Sequence, residues 1–247
     1  MIVREIFAKS VLSKSQVYDY ALNPYVGCSH ACRYCYAAFM KRFTGHRERW
    51  GTFVDAKINA PELLAREIRR KRPARVWISG VCDPYQAAEK RYRLTKRCLE
   101  VLLDAQWPVT IQTKSSLVLR DVAILEKFHD IEVGFSVATA DEEIRRLFEA
   151  GTPPIGERVR ALEVLHSRGI RTFAMIAPLL PGAEGLVGAL AGKVDHVLID
   201  RLNYFYADRI YRDHGLEWAR EETFFRQTAE GLREGFEGKG APVQILF

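Results

Sequence analysis

The chain has 247 residues, 48% hydrophobic and 28% charged, the balance of a globular protein built as one large domain or two small ones. No apolar run nears the roughly 20 residues of a membrane-spanning helix. Charges also interrupt the opening MIVREIFAKSVLSK, which argues against a signal peptide and for a cytoplasmic, membrane-free address. The net charge of +6 is concentrated in residues 1–72, where 14 Lys and Arg face 6 Asp and Glu. That third reads either as a solvated basic surface or as a guide for a polyanion such as nucleic acid.

Short apolar runs alternate with longer amphipathic ones along the chain. Residues 20–25 read as the first strand, followed by a cysteine-rich loop. A helix over 61–72 has Pro61 in its first turn and a basic last turn, which suits the helix dipole. A strand at 75–79 leads to a helix at 94–105, whose apolar residues at 94, 98, 99, 102 and 103 form one face. Then come strand 109–113, helix 117–128, strand 132–137, helices 141–149 and 156–168, strand 172–177, a weaker helix at 186–192 and strand 196–201. A helical tail at 216–236 follows, and 243–247 reads as a last short strand. Strands alternating with crossover helices mean parallel pairing in an α/β fold, either a partial barrel or an open doubly wound sheet. Both place their active sites at the C-terminal ends of the strands.

Three of the five cysteines fall in Asn23-Pro-Tyr-Val-Gly-Cys28-Ser-His-Ala-Cys32-Arg-Tyr-Cys35-Tyr36, on the loop after the first strand. The odd count argues against a disulfide scaffold. A structural zinc site wants four ligands, usually paired at two places, and no second pair appears; His30 lies too close in sequence to close a tetrahedron easily. Soft thiolates suit an iron–sulfur cluster, and three of them leave one iron of a cube open to bind a reactant.

The Cx3Cx2C spacing followed by an aromatic is identified as the signature of the radical S-adenosylmethionine superfamily. Within it the chain resembles the spore photoproduct lyase group over residues 20–205, through LNPYVGCSHACRYCYA, VWISGVCDPYQ, IQTK, FSVATADEEIRRLFEAGTPPIGERVRALE and MIAPLLPG. The resemblance implies a single domain over 1–247: a partial (β/α)6 barrel of parallel strands with a C-terminal helical extension from 206. It implies that Cys28, Cys32 and Cys35 hold a [4Fe-4S] cluster, which cleaves S-adenosylmethionine reductively to a 5′-deoxyadenosyl radical that takes a hydrogen from substrate. The electron donor would be of flavodoxin or ferredoxin type.

Site residues carry over one by one. Lys114, ending the third strand, would meet the cofactor's carboxylate or ribose. Ser136 would contact the same cofactor, Ala177 would back its adenine, and Tyr34 and Tyr36 flank the last cluster cysteine. Ser79 and Gly80 stand where the superfamily carries a Gly-Gly-Glu-like element, with backbone carbonyls to offer the cofactor's ammonium, although the Glu is absent here. Arg158 is open to two readings, a partner of the cofactor carboxylate or a surface helix arginine. Cys82 is likewise open: the lyases carry a catalytic cysteine in this region that returns a hydrogen to the product radical, whereas a free Cys often simply fills space. The lyases repair DNA and are longer, with an N-terminal extension and a DNA-opening hairpin. Here 27 residues precede Cys28, and nothing after Tyr206 reads as a hairpin. Nucleic acid is the expected substrate, with a small molecule or peptide as its rival. A non-catalytic iron–sulfur or zinc-binding module is the alternative of another class.

Overall fold

A computed structural model describes all 247 residues, which fall into two units: Met1–Ala31 with Ala37–Val133, and Cys32–Tyr36 with Gly134–Phe247. The chain opens with β1 (Ile2–Ile6), β2 (Leu12–Lys14), β3 (Tyr20–Leu22) and the two-residue β4 (Tyr25–Val26). A 3-10 stretch (Tyr36–Phe43) then leads to β5 (Phe53–Lys57) and α1 (Ala60–Ile68). After these come β6 (Val76–Ile78), α2 (Glu89–Tyr92), α3 (Leu94–Asp104), β7 (Val109–Thr113) and α4 (Val122–Leu125). The boundary between the units falls inside β8 (Ile131–Ser136).

In the first unit β5 pairs in parallel with β1 and antiparallel with β4. Separately, β3 pairs antiparallel with β2 and in parallel with β6, which pairs in parallel with β7. The register sets Leu22 opposite Ile78 and Ile78 opposite Ile111, all three fully buried. Each such side chain contributes roughly 1.5–3 kcal/mol of burial. The start of α3 is closed by a buried carboxylate: Glu89 accepts from the backbone N–H of Thr95 (3.0 Å) and Lys96 (3.2 Å) and also holds Tyr25 Oη and Arg120. A helix's first N–H groups lack intrahelical partners, and an anion there also suits the dipole.

The second unit continues from β8 through α5 (Glu142–Phe148), α6 (Ile155–Ser167), β9 (Arg171–Ile176), α7 (Leu186–Leu190), β10 (His196–Ile199), α8 (Asp208–Asp213), α9 (Glu222–Glu237) and β11 (Val243–Ile245). β10 lies in parallel between β9 and β11. Asp141 caps α5 by accepting from the N–H of Glu143 (2.7 Å) and Ile144 (3.2 Å). In β8, Gly134 leaves room for the ring of Phe173: a Cβ there would lie 2.1 Å from it.

All six expected strands exist, the one at 109–113 with its bounds unchanged and the other five shifted or shortened by one to three residues, and the last short strand is present as β11. The differences have physical causes. α1 stops at Ile68 because Arg69-Arg70-Lys71-Arg72 offers like charges and no apolar face to bury. The helix expected over 117–128 is a 3-10 turn (Ser116–Asp121) plus the short α4, broken where buried Asp121 pairs with Arg120. The C-terminal helix is divided at Glu221, whose backbone is extended. β1, β2, β5, α2 and α8 carry no clear signal in the sequence. No helix is long and apolar enough to cross a membrane.

Candidate active site

The cysteine loop begins directly after β4. Gly27 turns the chain there at φ +85°, and a Cβ would lie 2.3 Å from the carbonyl oxygen of Phe53, so glycine alone fits. Cys28 is buried, Cys32 and Cys35 are half-buried, and none is in a disulfide. Turn bonds run from Ala31 N–H to Cys28 O (3.4 Å) and from Cys35 N–H to Cys32 O (3.2 Å).

A second segment, Asp83-Pro84-Tyr85-Gln86, grips the first half of this loop. Fully buried Gln86 accepts from Ser29 N–H (2.9 Å) and donates to Gly27 O (3.0 Å). His30 Nε2 stands 3.1 Å from Asp83 Oδ2. Asp83 also accepts from the N–H of Tyr85 (2.8 Å), the hydroxyl of Thr113 (2.7 Å) and the N–H of Lys114 (2.7 Å). Burial by itself would raise the Asp83 pKa, but His30 and the hydrogen bonds overturn that and hold it down at about 2.

Thus Lys114, one residue past β7, is tied by its backbone to the carboxylate that meets His30. Ser79 and Gly80 follow β6. Ser79 is buried at φ +77°, and a Cβ on Gly80 would lie 2.9 Å from the ring of Trp77. Cys82 directs its thiol at Tyr25 O (3.4 Å) and Ser79 Oγ (3.5 Å) and packs on the buried cluster of Tyr25, Val54, Ala56 and Leu94.

In the second unit, Arg33 N–H bonds Phe148 O (2.8 Å) and the buried Tyr34 hydroxyl bonds Glu149. Burial and the neighbouring Glu149 carboxylate push the Tyr34 pKa far above its ordinary value, so Tyr34 stays protonated. Glu149 in turn pairs with Arg158 at 2.6 Å. Arg158 corrects the surface reading. It is fully buried, and its guanidinium bonds Glu149, Thr152, Pro153 O and Ser136 O. Ser136 ends β8 and is buried; Ala177 follows β9, in a cis peptide bond with Pro178. Tyr36 is exposed and stacks on Tyr204, which stacks on Tyr206 (centroids 6.1 and 5.8 Å apart).

Asp83, Gln86 and Glu149 are the residues that sequence reasoning missed. The first two lie inside the VWISGVCDPYQ block, and a buried-type Asp beside Pro, near a strand end, was the available signal.

No three His, Cys, Asp or Glu side chains are set closely enough to grip a single ion. The fit of the loop to its group rests on donor chemistry: three soft thiols on backbone shaped by Gly27 and Ala31, with no fourth cysteine to close the set. The family model of the radical SAM superfamily matches residues 22–184. An uncharacterised protein of Methanocaldococcus jannaschii is 35% identical over 162 residues, covering 66% of this chain and 61% of that relative. Spore photoproduct lyase complexed with dinucleoside spore photoproduct shares the fold at TM-score 0.74 and 14% identity, over 99% of this chain and 82% of that one. Streptococcus suis SuiB bound to its precursor peptide SuiA does so at 0.62 and 17%, over 91% and 47%. The chain belongs to the radical SAM superfamily, and its α/β fold of largely parallel strands is the fold of those enzymes. The family's cofactors are a [4Fe-4S] cluster and S-adenosylmethionine. The chain spans under two thirds of the curated relative's length.

Proposed function

We propose that this chain acts as one functional domain that uses radical chemistry on a nucleic acid, in the manner of a lyase, with Cys28, Cys32 and Cys35 as cluster ligands. The observation that carries the chemistry is the thiol triplet on its clamped loop within residues 22–184. When bound, the cluster and S-adenosylmethionine supply a hydrogen-abstracting radical; the protein supplies orientation and exclusion of water. Lys114 offers a cation to the cofactor carboxylate, Ser79 and Gly80 offer backbone carbonyls to its ammonium, and Ser136 and Ala177 line its nucleoside end. Tyr36 stands at the exposed side of Cys35. Buried Tyr34, its hydroxyl donating to Glu149, keeps the segment between Cys32 and Cys35 in place. Cys82 retains its hydrogen at neutral pH, as a donor to a substrate radical must.

Nucleic acid is supported by the basic first third. It is also supported by exposed Phe39 and Phe43, which share the guanidinium of Arg42 at 5.5 and 4.6 Å. Bases stack on such surfaces. The fold shared with peptide-bound SuiB makes a peptide the competing substrate class.

The test is anaerobic reconstitution with iron and sulfide. About four irons and four sulfides per chain are expected, lost on replacing any one of the three cysteines by Ala. With dithionite the loaded protein should turn S-adenosylmethionine into 5′-deoxyadenosine and methionine. Stoichiometric zinc without sulfide, or intact S-adenosylmethionine, refutes the reading.

A further inference from the structure

Three contacts of the cysteine loop converge on one short turn. Gln86 holds the residues on either side of Cys28, through Gly27 O and Ser29 N–H. Asp83, three residues earlier, meets His30, the residue midway between Cys28 and Cys32. The same carboxylate accepts from the hydroxyl of Thr113 and the backbone of Lys114, at the end of β7. Both side chains are buried, so these bonds face little competition from water and are costly to leave half-made.

We infer that the Asp83–Gln86 turn is the positioning element of the cysteine loop, and that Asp83, unlike Gln86, couples this loop to the strand end bearing Lys114. Neither residue touches the reacting atoms; both act through the loop. The inference rests on the reading that Cys28, Cys32 and Cys35 ligate the cluster and that Lys114 meets S-adenosylmethionine.

The physical logic divides the two residues. Gln86 is uncharged and bonds only backbone of the loop, so its loss should loosen the loop and nothing beyond it. Asp83 bonds the loop and the Lys114 backbone through one rigid carboxylate. Its loss should loosen the loop and shift Lys114 as well. A turn that merely held the fold together would move both properties in step with thermal stability.

Gln86→Ala, Asp83→Ala and Asp83→Asn in the full chain test this, with Cys28→Ala as the ligand control. In cluster-free protein, amide hydrogen exchange at Ser29–Ala31 should quicken about tenfold in Gln86→Ala and Asp83→Ala, the order set by one buried hydrogen bond. After reconstitution both should retain less iron on anaerobic gel filtration. Affinity of the loaded fraction for S-adenosylmethionine should stay at the wild-type value in Gln86→Ala and fall about tenfold in Asp83→Ala. Asp83→Asn keeps one acceptor oxygen, which can still serve the Lys114 N–H while its amide nitrogen replaces the oxygen used by Thr113 and Tyr85, and should recover part of that loss; it also carries the comparison if Asp83→Ala does not fold. Unchanged loop exchange in both Ala variants overturns the clamp. Equal losses of cofactor affinity in the two overturn the link to Lys114. A full cluster in Cys28→Ala overturns the ligand assignment instead, while the exchange data on cluster-free protein still judge the clamp.

Discussion

Burial pushes the Cys82 thiol up to about 11, with Ser79, Lys57 and Tyr25 O pulling only partly the other way. Alkylation proceeds through the thiolate, which forms only above that value. Mapped by mass spectrometry at pH 8, Cys82 should therefore react with iodoacetamide about a hundredfold more slowly than a thiol of pKa 9, and its rate should climb about tenfold per pH unit toward 11. Reaction at the free-thiol rate at pH 8 would show the sulfur to be unshielded. The sequence exposes such residues because their type and spacing carry the chemistry: three cysteines within eight positions, or a lysine leaving an apolar strand. It hides the residues that serve them. Gln86 meets Ser29 from 57 positions away and Glu149 meets Tyr34 from 115, distances at which no local pattern operates. The burial of Arg158 was hidden for the same reason. A helix position says nothing of a carboxylate and two carbonyls waiting at the far end of its side chain.

Strands β7, β8 and β9 were legible to within one residue because they are short runs rich in Val, Ile, Thr and Phe and mostly buried. β1 was not, since Arg4 and Glu5 break its pattern and four of its five residues are exposed. β5 was hidden by Asp55, which lies buried only because His46 meets it at 2.8 Å. Packing inside the second unit gives a sharper expectation. Gly134→Ala in β8 should lower the melting temperature, by roughly 1–3 kcal/mol of overpacking against the Phe173 ring. Gly156→Ala, in the first turn of α6 with nothing within 4 Å of the new methyl, should be neutral or stabilising by up to about 1 kcal/mol. Paired melts of the two variants check this. A stabilised Gly134→Ala would mean that the ring moves aside freely.

At the scale of the whole molecule, the 14 basic residues against 6 acidic ones in positions 1–72 set a long-range field that acts before any contact. If the substrate is nucleic acid, affinity for a single-stranded oligonucleotide should fall as salt rises, with a log–log slope of about 0.7 per neutralised phosphate. Charge reversal at Lys41, Arg42, Arg47 and Arg49, followed by fluorescence anisotropy, should weaken binding and flatten that slope. Absence of binding at low salt would turn the choice to a peptide. The grip of Asp83 and Gln86 on the loop also bears on protein engineering. The motif from Asn23 to Tyr36 is not a portable cassette. Grafted alone onto another scaffold it would arrive without the amide that holds Gly27 and Ser29 and without the carboxylate that faces His30. The smallest transplantable part is discontinuous, two stretches of chain that have to be moved together and held in register by the recipient's own strands.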